Sequence, residues 1–279
     1  MAILSPEEAL PVLRSAYRER RLIPFVGAGY SMPLRLPSWS ELIHVLGQEL
    51  GFEPELFELH GDYAQLAGYF ERSRTNAGQW LVEWMRARFH REEAEELRRR
   101  SAQHRALAGR DWSAIYTTNY DQHIERALRE AGRQVVPLAR LDDFVRPSPL
   151  DACEVVKFHG DIDAPETLIL TEDAYFRRLA LESAVDQRLR ADLLANNFLF
   201  MGYSFRDVNI RYIWHRMDQL RESYKREGDG SEPPRRSYMA TFGAGHVQPS
   251  LLEVWSIDVI DLDPRDRTKS IADLLDALS

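Results

Sequence analysis

Residues 22–32 read LIPFVGAGYSM. Five apolar residues run directly into Gly27-Ala28-Gly29-Tyr30-Ser31. A short apolar run that ends at glycine is the pattern of a strand buried on both faces. The glycine pair behind it has two possible uses. It permits a sharp backbone turn, and it lets backbone N–H groups come close to a phosphate. The third glycine of a full dinucleotide fingerprint is missing, because Met32 stands in its place. The stretch alone leaves both uses open, so its meaning depends on what the rest of the chain sets beside it.

On the amino-terminal side, Ser5-Pro6-Glu7-Glu8 starts a helix: a capping residue, proline in the first turn and acids at the positive end of the dipole. That helix is expected to run to about Arg20. On the other side, PSWSELIHVLGQELG (37–51) is an amphipathic helix, with Ser38 or Ser40 as cap and Gly51 as stop. From 52 to 109 the apolar residues keep three- and four-residue spacing, so this stretch reads as a helical insertion of about sixty residues. Within it, REEAEELRRR (91–100) reads as a solvated helical face or connector.

After Arg110 the pattern changes. SAIYTTNYD, QVVPL, EVVKFHGD, TLILT, NNFLFMGYS, RSYMATF and IDVIDL are short apolar or β-branched runs. Helical stretches separate several of them, including YDQHIERALREAG, RDVNIRYIWHRMDQLRESY and RTKSIADLLDAL. Strands alternating with helices predict an α/β fold: a mostly parallel sheet with helices on both faces. KREGDGSEPPRR (225–236) reads as a polar surface loop. The whole of 1–279 is read as a single nucleotide-binding-type domain, with the helical insertion between its first two strands.

Composition narrows the class. The chain has 279 residues, a hydrophobic fraction of 44% and an aromatic fraction of 10%, which is globular rather than disordered composition. A net charge of −8 argues against a chain-wide cationic surface for nucleic acid. The one cysteine, Cys153, excludes an internal disulfide and a thiolate zinc cage. A reducing, cytoplasmic setting is the simple expectation. No apolar stretch reaches the ~20 residues that a membrane-spanning helix needs, and with early acids and no cleavable apolar core in residues 1–21 no export signal is expected.

Open α/β sheets bind ligands beyond the carboxyl ends of their strands. Four apolar runs end in polar tips: Gly27-Ala28-Gly29-Tyr30-Ser31, Thr117-Thr118-Asn119-Tyr120-Asp121, His159-Gly160-Asp161, and the segment 202–209 with Gly202, Ser204, Asp207 and Asn209. Each tip has a plainer use. The glycines can serve only a turn, and Thr118 with Asp121 resembles a capping box. His159 can be a hydrogen-bonded structural histidine, and Ser204 and Asp207 can cap the helix that follows. Each plain use explains one tip and none explains four.

GAGYS, PSWSELI, TTNYD, KFHGD and GYSFRDVNI, in that order, resemble the sirtuin-like NAD-consuming superfamily, and more narrowly the sirtuin-like domains of bacterial antiphage defence proteins. The resemblance implies a Rossmann-like fold that cleaves the nicotinamide–ribose bond of NAD+. It implies that Ala28, Gly29 and Ser31 touch the pyrophosphate or adjacent ribose, that Asn119 and Asp121 line the nicotinamide and ribose pocket, and that Gly27 and Thr118 belong to the same NAD+-binding set. It makes His159 the general base, sets Gly202 and Ser204 at phosphate, and places Asp207 and Asn209 on the adenosine side. The four-cysteine zinc module of protein-deacylating sirtuins is absent, as is their Pro-Asp-Phe-Arg segment; MPLRLPSW stands there. These departures favour NAD+ hydrolysis over deacylation or ADP-ribosyl transfer. A non-catalytic NAD+ or ADP-ribose sensor is the other reading. The resemblance further implies a homo-oligomer and a HerA-type ATPase as partner, with NAD+ as substrate and no other cofactor.

The residue types suit that reaction. Its transition state is oxocarbenium-like, as in other glycoside hydrolyses. Nicotinamide leaves as a neutral molecule from a cationic precursor, so no general acid is needed. Asparagine can orient water or ribose hydroxyls through one donor and one acceptor group. Histidine is expected to supply a base near neutrality without large tuning by its surroundings.

Overall fold

The computed structural model describes residues 3–203, 205, 208–227 and 236–279, with backbone alone for 208, 209 and 220–227. Ser204 and Asp207, the side chain of Asn209 and most of the polar stretch 225–236 therefore lie outside the described residues.

Eight strands form one sheet: β1 (Ile3–Leu4), β2 (Leu22–Val26), β3 (Ala114–Thr117), β4 (Val135–Leu138), β5 (Cys153–Lys157), β6 (Asn197–Met201), β7 (Ser237–Phe242) and β8 (Ile257–Leu262). Their order is β1-β8-β7-β6-β2-β3-β5-β4, and every pairing among them is parallel. The expected Rossmann-like α/β fold is present. β1 was not anticipated, since two residues carry no periodicity. TLILT is not a strand. Pro165–Thr167 forms a 3₁₀ turn, and the chain beyond it crosses the sheet rim with Ile169 N–H bonded to His159 C=O at 2.9 Å. Its Leu170 packs with Val82, Met85, Phe89 and Ile162, so this apolar run is buried by helices rather than by strands.

Helices cover both faces because the strands alternate. Leu22 and Val26 of β2 join a core with α1 (Pro6–Arg18), whereas Ile23 and Phe25 point to the opposite core. Between β2 and β3 the chain forms α2 (Trp39–Glu49), α3 (Pro54–Glu58), α4 (Tyr63–Ser73), α5 (Ala77–Phe89), α6 (Glu92–Arg100) and α7 (Ala102–Ala108). Capping boxes start α1 at Ser5, α2 at Ser38 and α4 at Asp62. Ser38, not Ser40, is the cap of α2. The helices α2 to α5 share a small apolar core of their own around Ile43, Leu46, Phe57 and Phe70.

α8 (His123–Glu130), α9 (Leu141–Val145), α10 (Glu172–Arg178), α11 (Ala184–Ala195), α12 (Val208–Glu227), α13 (Val247–Glu253) and α14 (Arg267–Asp276) complete the chain. α8 and α14 join the core of α1, while α11, α12 and α13 cover the other face. The solvated reading of REEAEELRRR needs one correction. Arg98 on α6 is buried, held by Glu95 at 3.1 Å and by Glu130 at 2.9 Å. A buried guanidinium survives because carboxylates on two sides offset its desolvation.

Candidate active site

β6, β2, β3 and β5 are neighbours in the sheet, so their four polar tips lie side by side along one rim. The chain leaves β2 towards β3 on one side, and β6 returns to β2's other side. Such a switch point, at the carboxyl end of the central strand, is where open parallel sheets form a crevice.

At the β2 tip, Gly27 caps a seven-residue 3₁₀ helix, Ala28–Leu34. Gly27 N–H donates to Met201 C=O at 3.0 Å and Gly29 N–H to Gly202 C=O at 2.9 Å. A Cβ on Gly27 would sit 2.6 Å from the Gly202 oxygen, and one on Gly29 would sit 2.8 Å from it. Gly202 has φ +63°, and its Cβ would fall 2.1 Å from Tyr30 N. The glycines thus let two backbones touch. The β6 tip already takes the N–H groups of Gly27 and Gly29, while Ala28 and Gly29 stand exposed at the mouth.

At the β3 tip, Thr118 N–H donates to Val26 C=O at 3.2 Å and so extends the sheet. Asn119 is 7% exposed. Its Nδ2 donates to Ser31 Oγ at 3.0 Å, and its Oδ1 is buried without a hydrogen-bond partner among the described residues. The expected capping box of Thr118 and Asp121 does not form. The backbone of Thr118 still serves the sheet, so α8 begins only at His123, with Asp121 Oδ1 accepting the His123 N–H at 3.0 Å.

The β5 tip rests on charges that the motif reading passed over. Lys157 Nζ lies 2.9 Å from Glu125 Oε1 and 3.9 Å from Asp161 Oδ2, all three fully buried, and it also donates to the Asp121 carbonyl. Burial opposes the lysine charge, but Glu125, Asp161 and Asp121 outweigh it and raise the Lys157 pKa. A cation inside the apolar run EVVKF needs such partners, and that was the available signal in the sequence. Ile162 N–H bonds Tyr120 C=O at 3.2 Å, which stitches the β5 tip to the β3 tip.

His159 is buried, its ring edge-on to Tyr175 at 5.6 Å. Burial first, and the Arg178 charge second, push its pKa down to about 3. The near-neutral base expected from sequence is thus a neutral imidazole with low basicity. Arg178 lies 4.3 Å from the centroid of the Phe158 ring, donates to the Phe158 carbonyl at 2.6 Å, and pairs with Asp186.

Helices α5 to α7 reach three of the tips. Arg86 donates to Ile162 C=O at 3.1 Å, and Gln122 N–H reaches His90 Nε2 at 3.3 Å. His123 Nε2 bonds Phe89 C=O at 2.8 Å, and Tyr30 Oη donates to Gln103 C=O at 2.7 Å. Among the described residues, no three His, Cys, Asp or Glu side chains converge as a metal site, and no helix is long and apolar enough to cross a membrane. Cys153 is buried, its thiol pushed up to about 12 by desolvation.

Comparison with known proteins agrees with this geometry. The chain is 29% identical over 206 residues to a Bacillus cereus (strain MSX-D12) protein named NAD(+) hydrolase ThsA, covering 73% of this chain and 40% of that protein. An Enterococcus faecium protein of the same name is 29% identical over 256 residues, covering 86% of this chain and 52% of its own length. Defense-associated sirtuin 2 from Bacillus subtilis is 21% identical over 219 residues, covering 77% of this chain and 21% of that protein. The chain thus spans about half or less of the length of these relatives. A family model described as SIR2-like domain matches residues 113–260, more than half of the chain and three of the four tips. With the parallel sheet and its switch point at β2, that match makes this chain a member of the SIR2-like domain family.

Proposed function

We propose that the chain hydrolyses NAD+ at the nicotinamide–ribose bond, releasing nicotinamide and ADP-ribose. The observation that carries this reading is Asn119: a buried carboxamide at the switch point whose Oδ1 has no partner among the described residues. Leaving such an acceptor unpaired costs about 1–3 kcal/mol, so the position favours a ligand that brings an O–H or N–H to it. A ribose hydroxyl or an attacking water is such a donor. The relatives named NAD(+) hydrolase support NAD+ as that ligand.

His159 fits the reaction as a neutral acceptor. Water adding to an oxocarbenium-like carbon becomes acidic as the new bond forms, so a weak acceptor suffices to orient it and receive its proton. Ala28, Gly29, Ser31, Gly202 and Ser204 are assigned to the pyrophosphate side, with Gly27 behind them. Thr118 and Asp121 are assigned to the ribose and nicotinamide side, and Asp207 and Asn209 to adenosine. NAD+ depletion in antiphage defence, a cytoplasmic location, a homo-oligomer and a HerA-type ATPase partner belong to the same proposal and rest on family resemblance. Co-purification with the product of the neighbouring gene tests the partner.

The test of the site is purified protein with NAD+, following nicotinamide and ADP-ribose. Asn119→Ala and His159→Ala are expected to lower turnover by about a hundredfold or more while the unfolding midpoint holds. Normal turnover in folded variants would refute the assignment. A wild type that binds NAD+ and never releases nicotinamide, alone or with its partner, would establish the sensor reading instead.

A further inference from the structure

We propose that Gln103, on α7, is a positioning residue for Asn119 and acts on it through Tyr30 and Ser31. A seven-residue 3₁₀ helix is long for its kind, since runs beyond 3–4 residues are uncommon. Its sequence, AGYSMPL, offers no side-chain cap to hold it. Besides the Gly29 N–H bond to Gly202 C=O, reciprocal bonding with α7 holds it. Tyr30 Oη donates to the Gln103 carbonyl at 2.7 Å, and Gln103 Nε2 donates to the Tyr30 carbonyl. Tyr30 is fully buried, Gln103 is 2% exposed, and the ring of His104 lies edge-on to Tyr30 at 5.0 Å.

The next residue after Tyr30 is Ser31, which accepts the Asn119 Nδ2 bond at 3.0 Å. With Nδ2 committed to Ser31, the unpartnered Oδ1 is the atom left for a ligand. The carboxamide therefore presents an acceptor. If Ser31 shifts, Nδ2 loses its anchor and the amide is free to turn its donor towards the crevice instead. Gln103 fixes Tyr30, Tyr30 fixes Ser31, and Ser31 fixes which end of Asn119 a ligand meets. A helix outside the sheet thus sets the polarity of the central site residue. Ser31, expected at the pyrophosphate, acquires a second duty.

The kinetic arm of the test rests on the hydrolysis reading, and the spectroscopic arm does not. The chain holds five asparagines, so selective ¹⁵N-asparagine labelling gives five side-chain amide pairs, and Asn119→Ala identifies the one in question. Gln103→Glu keeps the size and removes the donor to the Tyr30 carbonyl. The expected result is a dispersed, slowly exchanging Asn119 pair in the wild type that shifts and exchanges about tenfold faster or more in Gln103→Glu. With NAD+, kcat is expected to fall about tenfold while KM stays within about twofold. Tyr30→Phe, which loses only the phenol bond, should move both readouts less and carries the test if Gln103→Glu does not fold. An Asn119 pair that does not move, or a rise in KM at unchanged kcat, overturns the proposal. If the wild type releases no nicotinamide, the hydrolysis reading fails, and the amide signal alone decides on Gln103.

Discussion

On the proposed assignment, the imidazole of His159 decides how the site titrates. A group whose pKa is pushed down to about 3 is neutral at every pH from 5 to 9. If His159 acts as the neutral acceptor, kcat/KM carries no limb from it near 6.5, where an unperturbed histidine would lose its proton. A pH–rate profile checks this. The expected outcome is a flat response between pH 5 and 8, and an acid limb near 6.5 that disappears in His159→Asn would contradict it. The sequence showed that a histidine ends the β5 run. Its basicity was not legible there, because it is set by Arg178 and by burial under α10, thirteen to nineteen positions along the chain. Asn119 was legible as a strand-end residue, but the choice of Oδ1 as its open atom depends on Ser31, brought from the 3₁₀ helix after β2.

At the level of elements, the described glycine with the least room for a side chain is Gly202, where the β6 tip meets the 3₁₀ helix after β2. Gly202→Ala would force a residue into φ +63° and set its Cβ against Tyr30 N at 2.1 Å. Strain and backbone displacement together are expected to cost about 3 kcal/mol or more, read as a large fall in melting temperature. An unchanged melting temperature would mean that the two tips are not in contact. Strands β2, β3, β5 and β6 were legible because burial on both faces leaves an unbroken apolar run. TLILT shows the limit of that signal. Leu170 is equally apolar, but it answers to Val82, Met85 and Phe89 on α5, and a run of residues does not state whether a sheet or a helix will bury it. The glycine pair was read as a turn or a cradle, and its N–H bonds to β6 reveal a third use, as the surface on which two tips meet.

Among the described residues, two of the buried histidines, His104 and His159, have pKa values that burial lowers to about 3. The unfolded chain takes up protons on both below its ordinary pKa of about 6.5, and the folded chain refuses them until about 3. Their contribution is complete above pH 6.5 and drains away as pH falls through that window, on the order of 5 kcal/mol for each by its lower end. Denaturant unfolding at pH 7 and pH 5 measures it. The loss between the two is expected to be smaller in His104→Asn, which keeps a polar atom facing Ser101 Oγ and removes the titrating ring. An equal loss in both proteins would show that His104 is not the source. The order of the sheet has a further consequence, in time. During synthesis β2 can pair with β3 early, but the crevice has no second wall until β6 has been made and has returned to β2. A nascent chain that has reached β5 carries Asn119 and His159 and still lacks the Gly202 wall. The rim around β2 is therefore complete only once β6 has left the exit tunnel of the ribosome.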